Sequence, residues 1–188
     1  MTNRKIILAS KSPRRSQLLR EAGFDFEVKT REIEETYPPT LAAKDVAAYL
    51  AVKKALGVQD FIFNDEIVLT SDTVVVLGNE IFGKPKDFND AKRILRKLSG
   101  KAHQVITGVC LLSKNKKRVF EGISTVHFNT LSETEIDYYI NKFEPYDKAG
   151  AYAIQEWIGL CKVKKIEGTY SNIMGLPVDL VYKELKQF

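Results

Sequence analysis

Cysteine is scarce in these 188 residues: there are two, Cys110 and Cys161, far apart and without a Cys-x-x-Cys spacing. That excludes a disulfide scaffold and points to the reduced thiols of a cytoplasmic protein. Histidine is as rare. His103 and His127 are too few for a histidine-rich zinc site, and no His-Glu-x-x-His occurs. No apolar run approaches the roughly 20 residues of a membrane span. The start, Met1-Thr2-Asn3-Arg4-Lys5, leads into about four strongly apolar residues, too few for a secretory signal core. The common nucleotide loops, Gly-x-x-x-x-Gly-Lys-Ser/Thr and Gly-x-Gly-x-x-Gly, are missing, and so is a serine-hydrolase elbow. There is no internal repeat, low-complexity tract or long linker.

What is present supports a core, since 44% of the chain is hydrophobic. The net charge is +5, from 29 Lys and Arg against 24 Asp and Glu. Part of the excess sits in one run, Lys114-Asn115-Lys116-Lys117-Arg118. Such a run reads either as a nucleic-acid contact or as a solvated hairpin tip, and no aromatic-rich binding signature accompanies it. The other basic residues are spread along the chain rather than massed in one run, which suits a small polyanion better.

The most informative stretch is Ser10-Lys11-Ser12-Pro13-Arg14-Arg15-Ser16-Gln17-Leu18. It follows the apolar run Ile6 to Ala9, a short buried strand. It precedes a helical pattern closed by Gly23, with Ser12 as N-cap and Pro13 as first helical residue. A strand therefore runs into a helix N-terminus flanked by two serines and two arginines. That arrangement suits an anion such as a phosphate chain; an ordinary capped helix with solvated arginines is the alternative.

Further along, Thr40 to Leu56 reads as a helix capped by Thr40 and stopped by Gly57, with Val46, Leu50 and Lys54 on one face. Ile67 to Leu77 reads as a strand turning at Gly78-Asn79 into Glu80 to Phe82. Asp87 or Asn89 caps a helix through Leu98. Strands follow at about 103–113 and 118–128. Ser132 and Glu135 form a capping box for a helix with Ile136, Tyr139, Ile140 and Phe143 on its apolar side. Leu160 to Ile166 reads as a strand with alternating lysines, and Val178 to Leu185 as a closing helix. Hairpins and crossovers together imply an α/β or α+β protein with a mixed sheet.

Asp72 stands inside an apolar strand, where a carboxylate is expensive unless solvated, paired or metal-bound. Lys84 lies in the rigid turn Gly83-Lys84-Pro85-Lys86-Asp87. Lys54 either points into a cleft or snorkels to solvent. Gln155, after Asp147-Lys148-Ala149-Gly150-Ala151-Tyr152, offers both a donor and an acceptor.

Taken together, these stretches resemble the Maf family, nucleoside triphosphate pyrophosphatases also called septum-formation inhibitors. The matching segments are Leu8 to Arg15, Ser71 to Val75, Gly83 to Asp87, Leu98-Ser99-Gly100 with His103, Thr107-Gly108-Val109, Asp147 to Tyr152 with Ile154-Gln155, and Asn172 to Pro177. The resemblance spans residues 1–188 as one domain. It implies an elongated, twisted mixed sheet flanked by helices, ITPase-like, with two lobes around a central cleft. It also implies hydrolysis of a nucleoside triphosphate to monophosphate and pyrophosphate with Mg²⁺ or Mn²⁺, as house-cleaning of nucleotide pools. Arg14 in Ser-Pro-Arg-Arg, with Gln155, is similar to the branch acting on dTTP and UTP; a branch acting on 7-methyl-GTP has Trp there. Ser71 and Ala153 depart from a common Ala and Gly.

By that resemblance Asp72 is the proton acceptor, and Arg14, Thr73 and Gln155 are specificity positions. Charge neutralisation of a triphosphate would fall to Ser10, Arg15, Lys54 and Lys84, with Glu35 and Asp72 as metal ligands. The expected partner is a nucleotide, with neither nucleic acid nor membrane, and a homodimer is the candidate assembly. A nucleotide-binding regulator of cell division, with incidental catalysis, is the alternative function.

Overall fold

The computed structural model describes residues 4–188. Its seven strands are β1 (Ile6–Leu8), β2 (Phe26–Val28), β3 (Ile67–Leu77), β4 (Glu80–Phe82), β5 (Ala102–Leu112), β6 (Lys117–Phe128) and β7 (Val163–Glu167). They form one mixed sheet in the order β2-β1-β3-β5-β6-β7, with β4 paired to β3. The helices are α1 (Pro13–Glu21), α2 (Val46–Leu56), α3 (Phe88–Leu98), α4 (Glu133–Phe143), α5 (Trp157–Lys162), α6 (Tyr170–Ile173) and α7 (Val178–Gln187). Among the described residues no helix is long and apolar enough to cross a membrane. The α/β class expected from the alternation of patterns is the class observed.

The chain divides into two compact units. The first comprises residues 1–72, 107–122 and 175–188, of which residues 1–3 lie outside the described structure. In it β1 pairs in parallel with β2 and with the start of β3, Ile6 standing opposite both Phe26 and Ile67. Parallel strands need both faces covered, and β1 is fully buried. Helix α2 lies against the sheet through Ala51 and Ala55, which pack with Cys110. Two small features set its distance. The Thr70 hydroxyl donates to the Ala51 carbonyl at 2.7 Å. A Cβ on Gly108 would stand 2.3 Å from the Ala47 and Ala48 backbone. Only a residue without a side chain lets strand and helix approach so closely.

The second unit comprises residues 73–106 and 123–174. Its core is built on α3 and α4. In α3, Ala91, Ile94, Leu95 and Leu98 recur at helical spacing and all are buried. Each large apolar side chain so buried stabilises the unit by about 1.5–3 kcal/mol. The Asp87 carboxylate, not Asn89, caps α3 by accepting the Asp90 N–H. The capping box of Ser132 and Glu135 opens α4 as expected.

Three local expectations are corrected. Ser12 holds the N-cap position of α1, but its side chain makes no cap hydrogen bond. Instead its own N–H donates to the Ser10 hydroxyl at 3.2 Å. Helix α2 starts at Val46, not Thr40, because Ala42 is extended and one 3-10 turn, Ala43–Asp45, precedes it. Leu160 to Lys162 belong to α5, and the strand begins only at Val163. The cause is Gly159, where a Cβ would lie 1.8 Å from the Ile154 carbonyl oxygen. The missing side chain lets a helical turn sit on the preceding loop, which the alternating lysines conceal.

Candidate active site

In the first unit the chain brings five of the expected residues into one interacting set. β1 ends at Leu8, and the buried Ser10 follows on the loop into α1. Its hydroxyl accepts from the Ser12 N–H and from the Arg15 Nη1, the latter at 3.3 Å. Arg15 is held at a second point, where its Nε donates to the Gly175 carbonyl at 2.8 Å. Gly175 has φ 112°, a backbone state that L side chains rarely adopt. That turn, legible in the sequence only as a polar stretch before a helix, therefore aims a carbonyl at the arginine. Burial lowers the Arg15 pKa and the Asp72 charge opposes it. The guanidinium stays charged in any case. Arg14, beside it in the first turn of α1, is half-buried and adds a like charge that further lowers the Arg15 pKa.

Asp72 lies on β3 and is 7% exposed. Its Oδ1 accepts from the Lys54 ammonium at 2.6 Å. The same ammonium donates to Glu35 Oε1 at 2.8 Å. Lys54 thus points inward from the face of α2 that carries Val46 and Leu50, and the snorkelling alternative is set aside. Burial raises the Asp72 carboxyl above the ordinary range, against the pull of Lys54 and Arg15, and Glu35 adds to the rise. Glu35 comes from an exposed irregular segment. Two carboxylates, one buried and one exposed, therefore converge on a single cationic point.

Among the described residues no group of three or more His, Cys, Asp and Glu side chains comes together as a metal cluster. The pair Asp72 and Glu35 still fits a hard divalent cation. Such an ion takes oxygen ligands, and Mg²⁺ uses one or two carboxylates plus substrate phosphates and water.

Thr73, Lys84 and Gln155 belong to the second unit. Thr73 is half-buried, next to Asp72 in sequence, so its side chain leaves the opposite face of the strand. Lys84 is exposed on the turn after β4, and the neighbouring Gly83 carbonyl accepts the Gly150 N–H at 3.1 Å. Gly150 and Ala151 both have left-handed backbone, φ 72° and 58°. The tight bend they make leads into Tyr152 and on to Gln155, which is exposed on a turn. Behind the bend, His103 Nε2 lies 2.8 Å from the Tyr152 hydroxyl, with Phe128 edge-on to both rings. Burial lowers the His103 pKa to about 4 and raises that of Tyr152. His103 is thus a buried neutral ring packed behind that bend. Cys110, pushed up to about 11 by burial, is an inert thiol. The sequence reading missed Gly175 as an anchor for Arg15, and Tyr139, Lys148 and Glu156 around the Gln155 turn.

The chain matches the family model described as Maf-like protein over residues 5–188. A dTTP/UTP pyrophosphatase of Phocaeicola vulgatus is 52% identical over 184 residues, covering 97% of this chain and 95% of that one. A dTTP/UTP pyrophosphatase of Flavobacterium psychrophilum is 48% identical over 180 residues, covering 96% and 92%. Among solved structures, the Staphylococcus aureus Ham1 protein superposes with TM-score 0.50 at 16% identity, covering 66% of this chain and 72% of that one, a likeness of fold alone. Identity near one half over nearly the whole length, together with a family model spanning residues 5–188, means that the chain belongs to the Maf-like protein family.

Proposed function

We propose that this chain hydrolyses dTTP and UTP to the nucleoside monophosphate and pyrophosphate. The observation that carries the reading is Asp72, a buried carboxylate in contact with Lys54 and under the field of Arg15. A site that only binds phosphate gains nothing from a buried negative charge, whereas hydrolysis needs a base.

The substrate carries about four negative charges, so most of the work is neutralisation and positioning. Arg15, held at Nε by Gly175 and at Nη1 by Ser10, presents a fixed cation at the N-terminus of α1. The helix dipole adds favourable potential for phosphate there. Lys54 and Lys84 supply further cations. Asp72 and Glu35 are the residues that would hold Mg²⁺ or Mn²⁺. An ion held there would neutralise phosphate charge and make a bound water more acidic. Asp72 orients the attacking water and takes its proton at a carboxylate oxygen. Lys54 keeps that carboxylate in place between turnovers.

Base choice rests on Gln155, with Arg14 and Thr73 as companion specificity positions. Uracil and thymine present an N–H between two carbonyls, which a glutamine amide can pair with. Cytosine presents the mismatched pattern. Both cysteines are free thiols, Cys161 exposed, which accords with a cytoplasmic nucleotide pool.

The test is a panel of dTTP, UTP, CTP, ATP and GTP with pyrophosphate and orthophosphate measured separately. Pyrophosphate from dTTP and UTP in preference to the others is the expected result. Release of γ-phosphate alone would sink the assignment.

A further inference from the structure

Gln155 is exposed, yet the backbone that carries it is gripped on every side within its own unit. Its turn is closed by the Glu156 N–H donating to the Ala153 carbonyl at 3.2 Å. The Tyr139 hydroxyl reaches the same turn from α4. It accepts from the Ala153 N–H at 3.0 Å and donates to Glu156 Oε2 at 2.5 Å. One oxygen thus ties the residue two before Gln155 to the residue after it. The Tyr139 ring is itself packed, fully buried and stacked on Phe143 at 5.0 Å between centroids. The second carboxylate oxygen of Glu156 lies 3.4 Å from the buried Lys148 ammonium. On the other side, Gly159 seats α5 directly on the Ile154 carbonyl.

We propose that Tyr139 is a positioning residue for the reaction, fixing the direction in which Gln155 presents its amide. The proposal rests on the reading that Gln155 pairs with the base. Recognition by a flexible amide needs its backbone held to about 0.5 Å, which the shared hydroxyl provides. A tyrosine that served the core alone would have no need of two partners on the loop. A phenylalanine would fill the same space.

The test compares kcat and KM for dTTP, UTP and CTP in the wild type, Tyr139→Phe, Gln155→Ala and the double variant, with amide hydrogen exchange at Ala153. In Tyr139→Phe the dTTP-to-CTP ratio of kcat/KM should fall about tenfold, the scale of a small misplacement, mainly through KM for dTTP. The double variant should discriminate no worse than Gln155→Ala, and the Ala153 amide should exchange faster than in the wild type. An equal loss on all three nucleotides overturns the proposal, as do additive losses in the double variant. A changed ratio in Gln155→Ala with an unchanged one in Tyr139→Phe overturns the proposal alone. An unchanged ratio in Gln155→Ala overturns the base-pairing reading, and the proposal falls with it. Glu156→Ala, which removes the other grip and leaves Tyr139 in place, should lower the same ratio; if it does not, the shared hydroxyl is not what aims the glutamine.

Discussion

A carboxylate set into an apolar strand opposes folding, because burial disfavours its charge. Asp72 is such a group, and Lys54 compensates only part of the burial. Asp72→Asn keeps the shape and an acceptor for Lys54 but removes the base. Turnover on dTTP should fall by about 10²-fold or more. The circular dichroism spectrum and melting point should show a folded protein. Near-normal turnover in that variant would take Asp72 out of the reaction. His103 carries a second prediction, with pH as the variable. Its folded pKa, about 4, lies below the ordinary 6.5, so the native state favours the neutral ring. The stability it contributes is complete above pH 6.5 and is lost as pH falls toward 4. The loss is about 3 kcal/mol at 1.4 kcal/mol per unit. Urea midpoints at pH 7 and pH 4.5 should therefore differ more in the wild type than in His103→Gln. An equal difference would mean that other groups set the acid sensitivity.

At the scale of elements, what the sequence could and could not reveal follows from physical causes. β3, α3 and α4 lie where their patterns put them, β3 as a nearly continuous apolar run buried on both faces and α3 and α4 as helices that each bury one stripe. The start of α2 escaped because Ala42 is extended and a 3-10 turn precedes the helix, and α5 escaped because close packing decided it. In α5 the decisive contact is backbone on backbone at Gly159, which leaves no periodic trace. Asp72 was legible from its cost in a strand, whereas helical phase left Lys54 between a cleft and solvent, and its contact with Asp72 decides it. Glu35 was not legible, since it lies on an exposed irregular segment where a glutamate reads as a surface charge. Tyr139 was read only as part of an apolar stripe; the signal that it does more is its hydroxyl, which a buried tyrosine must pair. The Thr107-Gly108-Val109 segment is explained by packing. Gly108→Ala would drive a methyl into the α2 backbone. We expect a loss of roughly 1–3 kcal/mol, the usual cost of overpacking, read as a lower urea midpoint. Turnover should fall as well, because α2 carries Lys54. Unchanged stability would show that α2 moves aside freely.

Across the whole molecule, the excess of positive charge bears on which polyanion the protein meets. The run from Lys114 to Arg118 is the densest basic stretch in the sequence, and a nucleic-acid surface was one reading of it. The structure gives several of its cations partners within the first unit. Lys114 donates to the Phe63 carbonyl. Lys116 donates to the Gln187 carbonyl at 2.6 Å and lies over the Phe188 ring. Arg118 reaches Glu184 with two hydrogen bonds, which raises its pKa and lowers that of the glutamate. To grip a phosphate backbone these groups would have to leave those contacts and order long side chains anew. The gain per phosphate is mainly counterion release, and it shrinks as salt rises. In the proposed site a triphosphate would meet cations already fixed, Arg15 most of all. Duplex DNA titrated at 0.15 M salt should therefore show no saturable binding up to about 100 μM, the weak end of ordinary non-specific association. Under the same conditions dTTP should still bind Asp72→Asn, which retains Ser10, Arg15, Lys54 and Lys84. Saturable DNA binding at micromolar protein, lost on replacing Lys114, Lys116 and Lys117 with alanine, would restore the nucleic-acid reading. It would also mean that the contacts with Phe63 and the C-terminal residues are easily broken.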